Sequence, residues 1–294
     1  MRIAFFGVAV AFLAATGNAQ ERKTTLTSPL EAAPGAVVRI TLGTATGRDS
    51  VVAIEATMSG EPLHFHRVAP GAWHAIGAIS PDAKTEATAR AVVSFATGRA
   101  DTISDVIRIA GEPPSHGTPR PLAVSPRFTQ PLDSATQDRI DRENATARGI
   151  GRSSHETPRM WTAPFMRPRN SVITSRFGSG RLFNGTLTSR HLGVDFRGKT
   201  GDPIVAANRG VVALVANFFL AGNVVYIDHG DGVVTAYFHM SKALVERGDT
   251  VERGQTIGLV GATGRVTGPH LHWSARYGAL TVNALDLVAL GKGW

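Results

Sequence analysis

Five side chains in the second half of this 294-residue sequence have types and spacings suited to hydrolytic chemistry at a metal ion: His191, Asp195, His239, His270 and His272. His270 and His272 stand two apart in Pro269-His270-Leu271-His272-Trp273, a stretch that reads as a β-strand. Successive strand side chains alternate faces, so both imidazoles project the same way. His191 and Asp195 stand four apart in His191-Leu192-Gly193-Val194-Asp195. On a straight strand they would lie about 13 Å apart, so they can share an ion only where the backbone bends between them. Gly193 supplies the freedom for such a bend. A helix would also bring them together, but Gly193, Val194 and the flanking glycines argue against one. Two imidazoles and one carboxylate, with a fourth position open, form a catalytic zinc arrangement. One zinc ion held by His191, Asp195 and His272 would bind a water and lower its pKa toward about 7.

His239, in Tyr237-Phe238-His239-Met240, falls on a neighbouring strand candidate and can face the same cleft. His239 and His270 are then the remaining polar candidates. Either can orient or deprotonate the attacking water, and both can stabilise charge on a tetrahedral intermediate. No Glu stands where the base of an HExxH helix would be. Spacing alone is a weak signal, because His64 and His66 repeat the two-apart pattern earlier in the chain without a carboxylate in comparable context. That earlier pair is read as ordinary histidine.

The elements that must position these residues fall into two β-rich units. Residues 20–112 read as all-β, with strands over 37–42, 50–55, 91–95 and 105–109, and turns at Pro34-Gly35, Ser59-Gly60, Pro70-Gly71 and Pro81-Asp82. Short strands at this spacing predict a small sandwich. Residues 113–169 read as a linker, punctuated by prolines, with one exposed helix over 133–149 that contacts its neighbours through Leu132, Ile140 and Ala147. Residues 170–294 form the second unit, with strands over 211–215, 224–227, 233–238, 256–260 and 271–274. Glycine-containing turns separate these strands at Gly201-Asp202, Gly222-Asn223 and Gly230-Asp231-Gly232.

Residues 1–19 read as an export signal. Arg2 leads an apolar run, and small residues at Gly17 and Ala19 set a cut after Ala19. An apolar run of about 13 residues is short of the roughly 20 that span a bilayer. No second run of that length follows, so no integral membrane segment is expected after cleavage. The chain has no cysteine, which excludes disulfides and a lipid-bearing cysteine and leaves His, Asp and Glu as metal ligands. A net charge of +8 on an exported protein favours an anionic wall or membrane surface as partner. Nucleic acid is excluded as the reading, because the basic residues are scattered and no binding motif accompanies them. The expected location is periplasmic or extracellular.

Taken in order, several strings resemble the lysostaphin-like M23 metallopeptidases. They are Ser175-Arg176-Phe177-Gly178, His191-Leu192-Gly193-Val194-Asp195-Phe196, Asp228-His229-Gly230-Asp231-Gly232, Tyr237-Phe238-His239, Gly248-Asp249-Thr250-Val251, Gly254-Gln255-Thr256-Ile257-Gly258, Gly261-Ala262-Thr263-Gly264 and Thr267-Gly268-Pro269-His270-Leu271-His272-Trp273. The resemblance implies a compact antiparallel β fold with a groove, one zinc ion, and endopeptidase action on the peptide cross-links of bacterial peptidoglycan. By position, His191, Asp195 and His272 match the family's zinc ligands, and His239 and His270 match its catalytic histidines. Some relatives have lost ligands and activate amidases instead, whereas this chain keeps every position. It departs at Trp273-Ser274, where an aromatic-acidic pair is more usual. No tyrosine here matches the one that assists the oxyanion in some members.

Residues 20–112 resemble more loosely an immunoglobulin-like module, best over residues 71–77, where Trp73 and His74 read as strand packing. The fold expected is therefore mainly β: an N-terminal β-sandwich plus a C-terminal antiparallel β peptidase domain with a groove. Two further functions stay open: a non-catalytic wall-binding or amidase-activating protein, and a metallopeptidase of Gly-rich proteins. The linker is also expected to lie across the groove, with Asn170 as a candidate for the open zinc position.

Overall fold

The computed structural model describes residues 23–45, 49–111 and 120–291; the export segment expected over residues 1–19 lies outside the described residues. Burial alternates along Val37–Gly43 and Glu86–Phe95, as it must for strands with one face on a core. These strands belong to two sheets. One runs Thr25–Thr27, Val37–Gly43, Ala72–Ala78, His66–Ala69. The other runs Glu31–Ala32, Ala100–Ile109, Glu86–Phe95, Val51–Met58, Glu61–Pro62. Ile40, Met58, Ile79, Ala89 and Ile107 fill the space between them, and Trp73 packs beside Leu42, Val93 and Phe95.

The second unit is built on one large antiparallel sheet. Its strand order is Ile173–Ser175, Val194–Arg197, His270–Tyr277, Val233–Ala243, Gly222–Asp228, Gly210–Phe218, Thr250–Val251. The core on one face gathers Phe196, Ile204, Ile227, Tyr237, Ile257 and Trp273, all buried. The other face carries Val224, Tyr226, Val234 and Ala236, which would meet water without a cover. A helix over Ser134–Ser153 supplies part of that cover through Ala147. Asp133 starts it by accepting the Thr136 N–H at 2.7 Å, a side-chain cap on an otherwise orphaned donor. Ile140 and Ala147 are buried as expected, but Leu132 is 37% exposed, and the helix runs past residue 149 to Ser153. The mainly β fold, a two-sheet sandwich followed by an antiparallel β domain with a groove, agrees with the sequence.

Two docking contacts shape the groove. The connector strand Arg120–Leu122 pairs in parallel with Gly180–Phe183, itself one arm of a hairpin closed on Leu187–Arg190. Asn184 at the hairpin tip has φ of 48°, and its amide clasps the connector, taking the Val124 N–H at 2.9 Å and giving to the Val124 carbonyl at 3.0 Å. The sandwich packs on the core of the second unit through Val37, Ile76 and Ala78. Around this seam Tyr277 donates to the Pro62 carbonyl at 2.6 Å and the Ala279 N–H donates to Glu61 at 2.9 Å.

His64 and His66 lie at this seam, where His66 meets a carboxylate directly and His64 only through His155, which the sequence alone did not suggest. His66 bonds the Asp231 carboxylate. His64 Nε2 lies 2.8 Å from His155 Nδ1, whose Nε2 is 3.0 Å from Glu61 Oε2. The partners come from distant parts of the chain, so local spacing could not reveal them.

A buried polar chain crosses the core of the second unit. His229 donates its Nδ1–H to the Arg209 carbonyl at 2.7 Å and accepts from the Thr235 hydroxyl at 2.8 Å. Thr235 in turn accepts from Tyr237, which accepts the Ala207 N–H at 2.8 Å. Burial pushes His229 down to about 4, so the folded protein holds it neutral. The stability this gives is complete above the ordinary value near 6.5 and is lost as pH falls from there toward 4. Equilibrium denaturation should show about 2 kcal/mol lost through His229 between pH 7 and pH 5. In His229→Asn, which keeps a donor but does not titrate, the slope of stability against pH should be shallower by that amount.

Candidate metal centre

Asp195 and His272 are direct partners across the antiparallel pair Val194–Arg197 and His270–Tyr277. Residues directly opposite share a face and hold their Cβ atoms about 5 Å apart. His191 precedes the strand and is tied back over it: its N–H donates to the Ser179 carbonyl at 2.9 Å and its carbonyl accepts the Gly178 N–H at 2.7 Å. The result is a triangle of ligand atoms. His191 Nε2 lies 2.9 Å from His272 Nδ1 and 3.0 Å from Asp195 Oδ1, and His272 Nδ1 lies 3.0 Å from the same oxygen. All three residues are buried. Gly193 matters here for a different reason from the one its flexibility suggested. Its φ is not left-handed. Instead a Cβ there would sit 2.4 Å from His272 Nε2 and 2.8 Å from the Trp273 carbonyl, so the position requires the absence of a side chain.

The protonation pattern suits a cation. His191 Nδ1–H donates to the Arg176 carbonyl at 3.0 Å, with Ser175 Oγ 2.9 Å away. That bond fixes the tautomer and leaves Nε2 as a lone pair aimed at the triangle. Burial pushes both His191 and His272 down, His272 to about 4, so both are neutral ligands at pH 7. Burial alone would raise Asp195; its polar contacts with His191 and His272 more than offset it and hold the carboxyl well below its usual range. Its second oxygen accepts from Arg181 Nη2 at 2.5 Å. Three acceptor atoms about 3 Å apart repel one another unless a proton or a cation lies among them. These three atoms would hold one metal ion, to which they would offer two imidazole nitrogens and a carboxylate oxygen.

His239 reaches this face through a defect in its strand. Phe238 pairs with His272 in register and its ring stacks on the imidazole, centroids 5.0 Å apart. Alternation would send the next residue into the core beside Tyr237. His239 escapes that by adopting φ of 62°, at a register shift in the pairing with Gly222–Asp228. Left-handed backbone in a non-glycine residue at a bulge re-aims a side chain at modest energetic cost. Its ring comes 4.9 Å from that of His270 and 5.9 Å from that of His272. His239 Nδ1–H donates to the Thr263 carbonyl and His270 Nδ1–H to the Gly268 carbonyl, both at 2.8 Å. Each therefore presents Nε2 as an acceptor, and His270 Nε2 lies 3.7 Å from Asp195 Oδ1. Burial, then the neighbouring His270 and His272, hold His239 well below its ordinary value.

The structure thus brings all five residues together, and adds two that spacing did not flag. Arg181 and Arg265 both line the two hollows that flank the triad, one shared with His191, His239 and His272, the other with Asp195 and His270. Neither arginine falls in a periodic motif; hairpin and loop geometry carry them in. The helix borders the first hollow through Ile140, Glu143, Asn144 and Ala147. Asn170 does not reach the centre. It is exposed, beside Arg169, Asp202 and Pro203 in a separate hollow. Tyr237 and Tyr277 spend their hydroxyls elsewhere, whereas Tyr226 lines the groove.

An antiparallel β domain whose groove holds a buried His-Asp-His set able to take a metal ion, beside two further histidines, has the donor groups a metallopeptidase site requires. Residues 189–284 match the model of Peptidase family M23, so this segment of the chain is similar to that family. It is 46% identical over 114 residues to the peptidoglycan DD-endopeptidase ShyA of Vibrio cholerae, covering 38% of this chain and 26% of that protein. It is 44% identical over 102 residues to ShyC of the same organism, a peptidoglycan DD-endopeptidase by name, covering 34% and 24%. The matched segment spans about a quarter of the length of these curated relatives. A solved structure from Pseudomonas aeruginosa described under peptidase M23 superposes with a TM-score of 0.63 at 26% identity, covering 88% of this chain and 96% of that one.

Elemental analysis of the dialysed protein should find one divalent metal per chain. Asp195→Ala should reduce that at least tenfold, and Gly193→Ala should do the same by displacing His272, although it removes no ligand.

Proposed function

We propose that this chain is an exported, zinc-dependent endopeptidase that hydrolyses peptide cross-links of bacterial peptidoglycan. The observation that carries the reading is the convergence of a complete ligand triangle with two histidines whose Nε2 atoms are free to accept a proton. The peptidoglycan DD-endopeptidase names of ShyA and ShyC support the substrate. The positive net charge suits an anionic wall, and residues 1–19 suit export to the periplasm or beyond.

His191, Asp195 and His272 would hold the ion, which when bound supplies Lewis acidity to a water and to the scissile carbonyl. Arg181 holds the outer oxygen of Asp195 and so fixes the carboxylate plane. His239, kept neutral by burial, accepts the proton of the attacking water at Nε2 and returns it to the leaving amine. His270, at the rim and anchored through Nδ1, orients the water and steadies charge developing on the carbonyl oxygen. The retained ligand set weighs against a purely amidase-activating role.

Incubation with purified sacculi should release muropeptides cut at the cross-link. Chelation should abolish that release, and His239→Ala should slow it about 100-fold or more. Intact sacculi and intact cross-linked peptides after treatment with zinc-loaded protein would rule the reading out. Cleavage of Gly-rich protein chains in preference to sacculi would move the substrate to exported proteins.

A further inference from the structure

Two guanidinium groups stand beside the triad, and one carboxylate neutralises one of them. Arg181, on Gly180–Phe183, is paired with Asp195. Arg265 lies in the loop over residues 261–269 that leads into His270–Tyr277, and its backbone N–H is tied to the Leu220 carbonyl at 2.8 Å. Its guanidinium stacks on Phe183, 4.2 Å from the ring centroid. No carboxylate among the described residues pairs with it. Glu143, the acidic residue lining the neighbouring wall, is already engaged by Arg139 and by the Phe219 N–H.

Half-buried cations without counter-charge are costly. Burial, and then repulsion from Arg181, push Arg265 down to about 10, which still leaves it charged at neutral pH. Stacking on Phe183 orients the guanidinium plane while leaving its N–H edge open, the geometry that grips a planar carboxylate with two parallel bonds. Arg265 borders both hollows that meet at the triad, so an anion held there would sit next to the bond being cut.

We propose that Arg265 is a specificity-determining residue that binds a free carboxylate carried by the peptide on a residue flanking the scissile bond. The proposal rests on the peptidase reading above. It makes the preferred substrate an amide bond with an adjacent unblocked carboxylate, and a carboxamide at that place a poor substitute.

Two synthetic cross-linked peptides, identical except for a free carboxylate or a carboxamide beside the scissile bond, test this with zinc-loaded protein. Calorimetric binding to the parent should favour the free acid by about tenfold to 100-fold, and in hydrolysis the preference should appear mainly in KM. In Arg265→Gln the ratio of the two peptides should collapse to near one, and Arg265→Lys should restore part of it. An unchanged ratio in Arg265→Gln, or no preference in the parent, overturns the proposal. Binding that prefers the free acid without any hydrolysis would instead sink the peptidase reading and leave the carboxylate site standing.

Discussion

The direct cross-strand pairing of Asp195 with His272 is the constraint on which this molecule turns. An antiparallel register slips in whole residues, and a slip of one would send every side chain on the moving strand to the other face. Trp273 and Phe196, buried on the core side of the same two strands, make that slip prohibitive. The hydrophobic core therefore locates the candidate metal ligands to within a hydrogen-bond length. His191 completes the set from outside the sheet, held by the Ser179 and Gly178 backbone, while His272 lies against Gly193, which must lack a side chain.

Around that pairing the charges form a graded series. A buried carboxylate is shared by two neutral imidazoles on one side and an arginine on the other. Burial keeps the imidazoles neutral, and the polar contacts of Asp195 with His191 and His272 outweigh the same burial and keep the carboxylate ionised. The same low-dielectric surroundings that would penalise a lone charge strengthen each of these interactions. A site in this condition is prepared for a cation before one arrives, which shortens the reorganisation that binding would otherwise require.

The rest of the chain works on the groove rather than on the ligands. The helix over Ser134–Ser153 covers an apolar sheet face and also forms one wall of a hollow. The connector strand lengthens the hairpin that carries Arg181 and is clipped to it by Asn184. The sandwich shares a hydrophobic cluster with the core of the second unit, so its attachment is a packed interface and not a tether. Each of these contacts is nonlocal, and each shapes the groove without touching the His191, Asp195 and His272 triangle.

Much of this was written locally. Period-two burial at Val37–Gly43 and Glu86–Phe95 follows from side-chain alternation alone, as does the shared face of His270 and His272. The types of the ligands, the lack of cysteine and the order of the motifs were likewise legible from residue identity. Three things were not. His239 points at the site because of a left-handed backbone at a bulge, which alternation would deny. Gly193 is required for the space beside His272 and not for its torsion. Arg181, Arg265 and the partners of His64 and His66 meet their neighbours across large sequence separations. Sequence by itself determined which chemistry the chain can host, because donor atoms and strand periodicity are local properties. Tertiary structure alone decided how those donors converge and which charges remain free in the groove, because distances between remote segments are set by the register and packing of the whole sheet.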